Sequence, residues 1–179
     1  SPIGGDQLFT FGDLIGSLVD QGFDDPRRVY TAFVDNIGCC YGAGGQGTLY
    51  LDDEPSPDTN WNNVGGPHYS MVRLGLDPTF TALAFQHEVG HNLGAVQDSA
   101  PHSSLGGHCW DDRDVMCYAD GGPYFDTGTL QTLCPGLGVN GIEPWDCGQD
   151  DYYAAEPAEG SYLETHWNLA HSGWLGWRS

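Results

Sequence analysis

An α+β fold is predicted for this chain from three observations. A helix-period apolar pattern lies near the N-terminus, three short β-type runs follow it, and a well-capped helix then precedes a long irregular remainder. With 179 residues and 39% hydrophobic content, the chain is long enough for one domain with a core and short for two. A single domain over residues 1–179 is the expectation.

In "LFTFGDLIGSLVDQ", residues 8–21, Leu8, Phe11, Leu14, Ile15 and Leu18 recur every three or four positions, which predicts a helix with one buried face. Past Pro26 the pattern changes. "RVYTAFVD" (28–35), "GTLYLD" (47–52) and "HYSMVRLG" (68–75) are short and rich in β-branched and aromatic residues, so each is expected as a strand. The glycine-rich "GCCYGAGGQG" between the first two has no Lys-Ser/Thr pair after it and reads as a loop. Asp77 and Pro78 form a strong helix start, and Gly94 a stop, predicting a helix to about Asn92. On it Ala82, Phe85, Val89 and Leu93 should form the buried face, opposite His87 and His91. Near the end, Ser161 and Glu164 at capping-box spacing predict a last helix at 162–171 that buries Leu163, Trp167 and Ala170.

The formal charge is −20, from 25 acidic residues against five arginines and no lysine. Such a surface repels nucleic acid and anionic membranes, and no apolar run has the length of a membrane span. The chain starts at Ser1 without a charged-then-apolar leader, which suggests a processed or trimmed chain. Six cysteines without CxxC pairs favour disulfides and hence a secreted, extracellular protein. Proximity pairs Cys109 with Cys117 and Cys134 with Cys147, leaving the adjacent Cys39 and Cys40.

The chemistry is concentrated in "HEVGHNLGAVQDSAPHSSLGGH", residues 87–108. Two histidines four apart on a helix stand one turn above each other and can share one ion, so His87 and His91 are expected as zinc ligands. Glu88, next to the first, is placed to act on water as general base. Gly94 lets the chain reverse directly after the helix.

"HEVGHNLG" followed at a distance by "DVMCY" resembles the metzincin clan of zinc endopeptidases, whose pattern is HExxHxxGxxH or HExxHxxGxxD and then a methionine-bearing turn. The stretch "GAVQDSAPH" is also similar to secreted actinobacterial proteins of this general type. The resemblance implies a small twisted mixed sheet with the active-site helix above it in an upper lobe (1–94). An irregular disulfide-bearing lower lobe (95–179) would follow. It also implies Met116 in the methionine turn and Tyr118, two residues on, as a group that ligates the metal or stabilises the transition state.

The departure is at the third ligand, where Gln97 stands and offers zinc only a neutral amide. His102 is expected to replace it, with Asp98 as the alternative and His108 and Gln97 behind them. His68, His166 and His171 have no metal spacing and read as surface or structural, while Trp167, Trp174 and Trp177 read as a packing cluster. Asp111, Asp112, Asp114, Asp150 and Asp151 offer oxygen ligands suited to Ca²⁺, but without EF-hand spacing they read as solvated loop. The expected function is a monomeric secreted zinc endopeptidase acting on peptide or protein substrates. A zinc amidase acting on a non-protein polymer, or a non-catalytic module with a structural metal, remain alternatives.

Overall fold

The structure, a computed structural model of the chain, describes residues 10–35, 43–75, 77–111, 114–118 and 144–175. Thr10 starts the first helix by a reciprocal cap: its hydroxyl accepts the Asp13 amide at 3.1 Å, and the Asp13 carboxylate accepts the Thr10 amide at 3.0 Å. Helix α1 then spans Phe11–Asp20. Leu14 is its buried residue, packed on Met71 of the sheet with Phe11, Leu18, Ala32 and Val34 around the pair.

The sheet is mixed and three-stranded, in the order β1-β3-β2. Strand β1 (Val29–Val34) runs parallel to β3 (His68–Arg73), and β2 (Gly45–Gly47) pairs antiparallel to β3 from the other side. All of β3 except Arg73 is buried, as befits a middle strand covered on both faces. Between β2 and β3 lies α2, the single turn Trp61–Val64, capped by the Asn60 side chain.

Helix α3 spans Pro78–Leu93 and lies against β3 and β2. Asp77 caps it by accepting the Thr79 amide at 2.9 Å, and Gly94 ends it at φ 95°, in the left-handed region that glycine enters without strain. Close approach of α3 to β2 depends on two strand glycines. A Cβ at residue 45 would lie 2.7 Å from Glu88 Cγ, and one at residue 47 would lie 2.6 Å from the Glu88 carbonyl oxygen.

Three expectations are corrected. The middle strand of the predicted trio pairs at 45–47 rather than over 47–52, because the glycines there let the backbone reach under α3. On α3, Ala82 and Phe85 are exposed and Val89 half-buried, so of the predicted face only Leu93 is buried. The last predicted helix breaks into α4 (Tyr162–Thr165) and a 3₁₀ turn (Leu169–His171) around the buried Trp167. Ser161 makes no side-chain cap there.

A larger core is built from the end of α3 and the irregular chain beyond it. Leu93, Val96, Met116, Tyr152, Trp167 and Leu169 are its largest buried members, with Trp174 packed at its edge. Trp177 lies outside the described residues. Disulfide Cys109–Cys117 forms as expected within this core, whereas Cys39, Cys40 and Cys134 lie outside the described residues. Among the described residues, no helix is long and apolar enough to cross a membrane.

Candidate metal centre and active site

His87 and His91 occupy one flank of α3, with ring centroids 4.7 Å apart. The ring orientation of each is fixed by a backbone carbonyl. His87 Nδ1 donates to Val115 O at 2.7 Å and His91 Nδ1 donates to Ala95 O at 3.1 Å, so both rings turn an Nε2 lone pair the other way. Burial holds both imidazoles neutral at neutral pH: the His87 pKa falls to about 4 and that of His91 well below its ordinary value.

The third imidazole to arrive is His108. Its Nε2 lies 3.2 Å from His87 Nε2 and 3.2 Å from His91 Nε2. An Nε2–H on His108 can satisfy only one of the two facing lone pairs at a time, whereas one cation between the rings satisfies all three nitrogens. Three nitrogens around zinc at bonds of about 2.0–2.1 Å would stand about 3.3 Å apart in a tetrahedron, so the donor set fits the ion.

His108 is delivered by a closed loop. The Val96 amide donates to Gly107 O, the Ser104 amide to His108 O and the Cys109 amide to Met116 O. Cys109 also bridges Ser103 on one side and Cys117 on the other, and the disulfide locks the second bridge. Gly107, at φ 78°, passes so close that a Cβ would sit 2.9 Å from Leu49 Cδ2 and 3.1 Å from His91 Cε1.

The segment Asp114–Tyr118 runs beneath α3. Val115 supplies the carbonyl that orients His87, and Met116 is fully buried under α3 where Gly90 leaves room. Asp114 braces this turn by accepting the Met116 amide at 2.8 Å, the Cys117 amide at 3.0 Å and the Tyr152 hydroxyl at 2.8 Å. Tyr118 is 42% exposed and puts its hydroxyl 3.3 Å from His108 Nε2, at the mouth of the group.

Glu88 is 5% exposed, and its Oε2 is buried with no hydrogen-bond partner. Burial pushes its pKa up to about 8. Glu88 lines, with the three histidines and Tyr118, a cavity of about 800 Å³. Phe11, Phe80, Leu83, Ala84 and Val115 make the apolar part of its wall, and the β2 backbone another side.

The structure does not bring the other expected ligands here. His102 stands apart, its Nδ1 3.1 Å from Asp151 Oδ2 and its amide donating to Asp151 Oδ1 at 2.8 Å. Together with Asp111 and Asp150 it forms a second group that can hold a metal ion. Asp111, Asp114 and Asp151 are buried rather than solvated. Burial and the neighbouring Asp111 push the Asp151 carboxyl well up. Asp98 is exposed at a turn and belongs to neither group.

Gln97 is buried and spends its amide on backbone, donating to Tyr50 O at 3.0 Å and Gly94 O at 2.8 Å. His68 is fully buried between the rings of Tyr50 and Trp174, and His166 stacks on Tyr162, so both are structural. Sequence reasoning placed His108 behind His102, and the one signal in its favour was its position beside Cys109 of a short disulfide loop. No family model matches the chain, and no curated protein or solved structure matches it.

Proposed function

We propose that the chain is a secreted zinc endopeptidase of the metzincin type, with His87, His91 and His108 as ligands. The observation that carries this reading is the convergence of three imidazoles, with His108 Nε2 3.2 Å from the Nε2 of both His87 and His91, beside a buried, unpartnered Glu88 oxygen in an open cleft. A structural metal site has no need of that carboxylate or that cleft.

His87, His91 and His108 would hold the zinc ion, which would supply Lewis-acid polarisation of a carbonyl and a bound water of pKa about 7. Glu88 takes the proton of the attacking water as its oxygen bonds to the carbonyl carbon. It returns that proton to the amine as the C–N bond breaks. The Tyr118 hydroxyl, at the cleft mouth, would donate a hydrogen bond to the oxygen on which negative charge develops. As the edge of the sheet, β2 offers its backbone to an extended peptide. A disulfide in the core suits an oxidising compartment outside the cytoplasm.

Glu88→Gln should keep its zinc and lose hydrolysis of an unfolded protein such as casein by roughly 10²–10⁴-fold. Full activity of this variant, or no hydrolysis by the zinc-loaded parent, would contradict the reading. Hydrolysis of wall polymer with protein left intact would move it to the amidase class.

A further inference from the structure

The segment that begins with β2 does not end at the metal group. Gly47 lies against the Glu88 carbonyl and His91, Leu49 lines the cleft, and Tyr50 and Leu51 follow it in the chain. There Tyr50, Leu51, Asp52 and Trp61 enclose a second, shallower hollow of about 370 Å³. Leu51 is 63% exposed and Trp61 60%, although both are large apolar side chains that folding could have buried.

This ledge is held rigidly from below. The Tyr50 amide donates to Asn62 Oδ1 at 3.0 Å, its hydroxyl to Gly65 O at 3.0 Å, and the Trp61 amide to Asp52 Oδ2 at 2.7 Å. Asn60 and Asn62, both fully buried, donate to the Asp52 carbonyl at 2.7 Å and 3.1 Å. Gln97 adds the link to the metal centre: its amide joins the Tyr50 carbonyl to the Gly94 carbonyl at the end of α3. The residue at the position where the resembled pattern has a ligand is thus a strut between catalytic helix and ledge.

The ledge is also acidic. Asp52, Asp53, Glu54 and Asp58 lie in its loop, and residues 50–64 contain no arginine or lysine. We propose that Tyr50, Leu51 and Trp61 form a distal substrate subsite, which takes an apolar side chain with a basic neighbour outside the residues that flank the scissile bond. This rests on the peptide-cleft reading above. The occupant is the substrate's own chain, because the segment that lines the cleft at Leu49 goes on directly into the hollow at Tyr50 and Leu51, and the charge of the ledge is opposite to that of a basic residue.

The test uses the zinc-loaded full chain carrying Glu88→Gln, so that binding is measured without hydrolysis. Two twelve-residue peptides share one central sequence, and each end carries Leu-Arg in one and Ser-Asp in the other; a third peptide is the central six residues alone. By titration calorimetry the Leu-Arg peptide should bind about tenfold tighter than the Ser-Asp peptide. Adding Trp61→Ala, or separately Leu51→Ser, should cut that difference severalfold and leave binding of the six-residue peptide unchanged. Equal binding of the two long peptides, or a preference undiminished by both substitutions, overturns the proposal. Failure of the parent to cleave casein would instead count against the endopeptidase reading, and the two failures are read in separate assays.

Discussion

Gln97 shows how one side chain can be placed by what it bonds rather than by the motif it interrupts. Its amide satisfies two carbonyls, Tyr50 O and Gly94 O, from a buried position. Gln97→His, which would complete the HExxHxxGxxH pattern, should therefore leave zinc affinity unchanged. It should also destabilise the fold by about 1–3 kcal/mol, since a buried acceptor loses its donor. Equilibrium urea unfolding and a zinc competition assay check both outcomes, and a large gain in affinity would contradict the placement. That His87 and His91 share one flank of a helix was legible from the sequence because spacing of four residues on a helix is a local pattern. His108 was harder to read. Its arrival depends on a loop that closes through Cys109 and Cys117, and spacing along the chain does not report such closure.

At the scale of elements, α3 was the most legible because its start at Asp77 and Pro78 and its stop at Gly94 are decided by neighbouring residues. Strands β1 and β3 were read nearly to their ends for the same reason. Strand β2 was displaced because its pairing is chosen by fit under α3 at Gly45 and Gly47, and the β-type side chains of Tyr50 and Leu51 belong to the exposed rim instead. The single turn α2 is too short to show a period. Close packing also decides the sign of a helix substitution. Helix propensity alone favours Gly90→Ala by about 1 kcal/mol. A Cβ there, however, would meet the fully buried Met116 Sδ at 2.5 Å and Trp145 at 3.0 Å. Overpacking should win, with a net loss of about 1–3 kcal/mol in urea unfolding and weaker zinc retention. A stabilised variant would show that the methionine turn is free to move away.

For the whole molecule, two features set the response to solution conditions. The charge of −20 spreads repulsion over the surface, while His68 is a buried neutral group whose pKa burial lowers to about 4, with the neighbouring Asn62 backbone acting in the opposite direction. Neither ring nitrogen of His68 has a hydrogen-bond partner, and the rings of Tyr50 and Trp174 stand edge-on to it. Between its unfolded value of 6.5 and its folded value of about 4, the unfolded chain binds the extra proton. The stability from this residue is thus fully present above pH 6.5 and is lost as pH falls towards 4, by up to about 3 kcal/mol. His68→Phe should flatten the decline between pH 6.5 and pH 4 relative to the parent, measured by urea midpoints at fixed salt. Parallel pH profiles for the two chains would contradict the assignment.

The most direct test of the metal centre is zinc content per chain after dialysis, measured side by side for the parent, His108→Ala and His102→Ala. Loss of one of three converging imidazoles should weaken binding by on the order of 100-fold or more. The parent and His102→Ala should then hold about one tightly bound zinc each, while His108→Ala should hold none. Zinc retained by His108→Ala and lost by His102→Ala would contradict the three-histidine site, and a parent without zinc would remove the basis for the proposed hydrolysis.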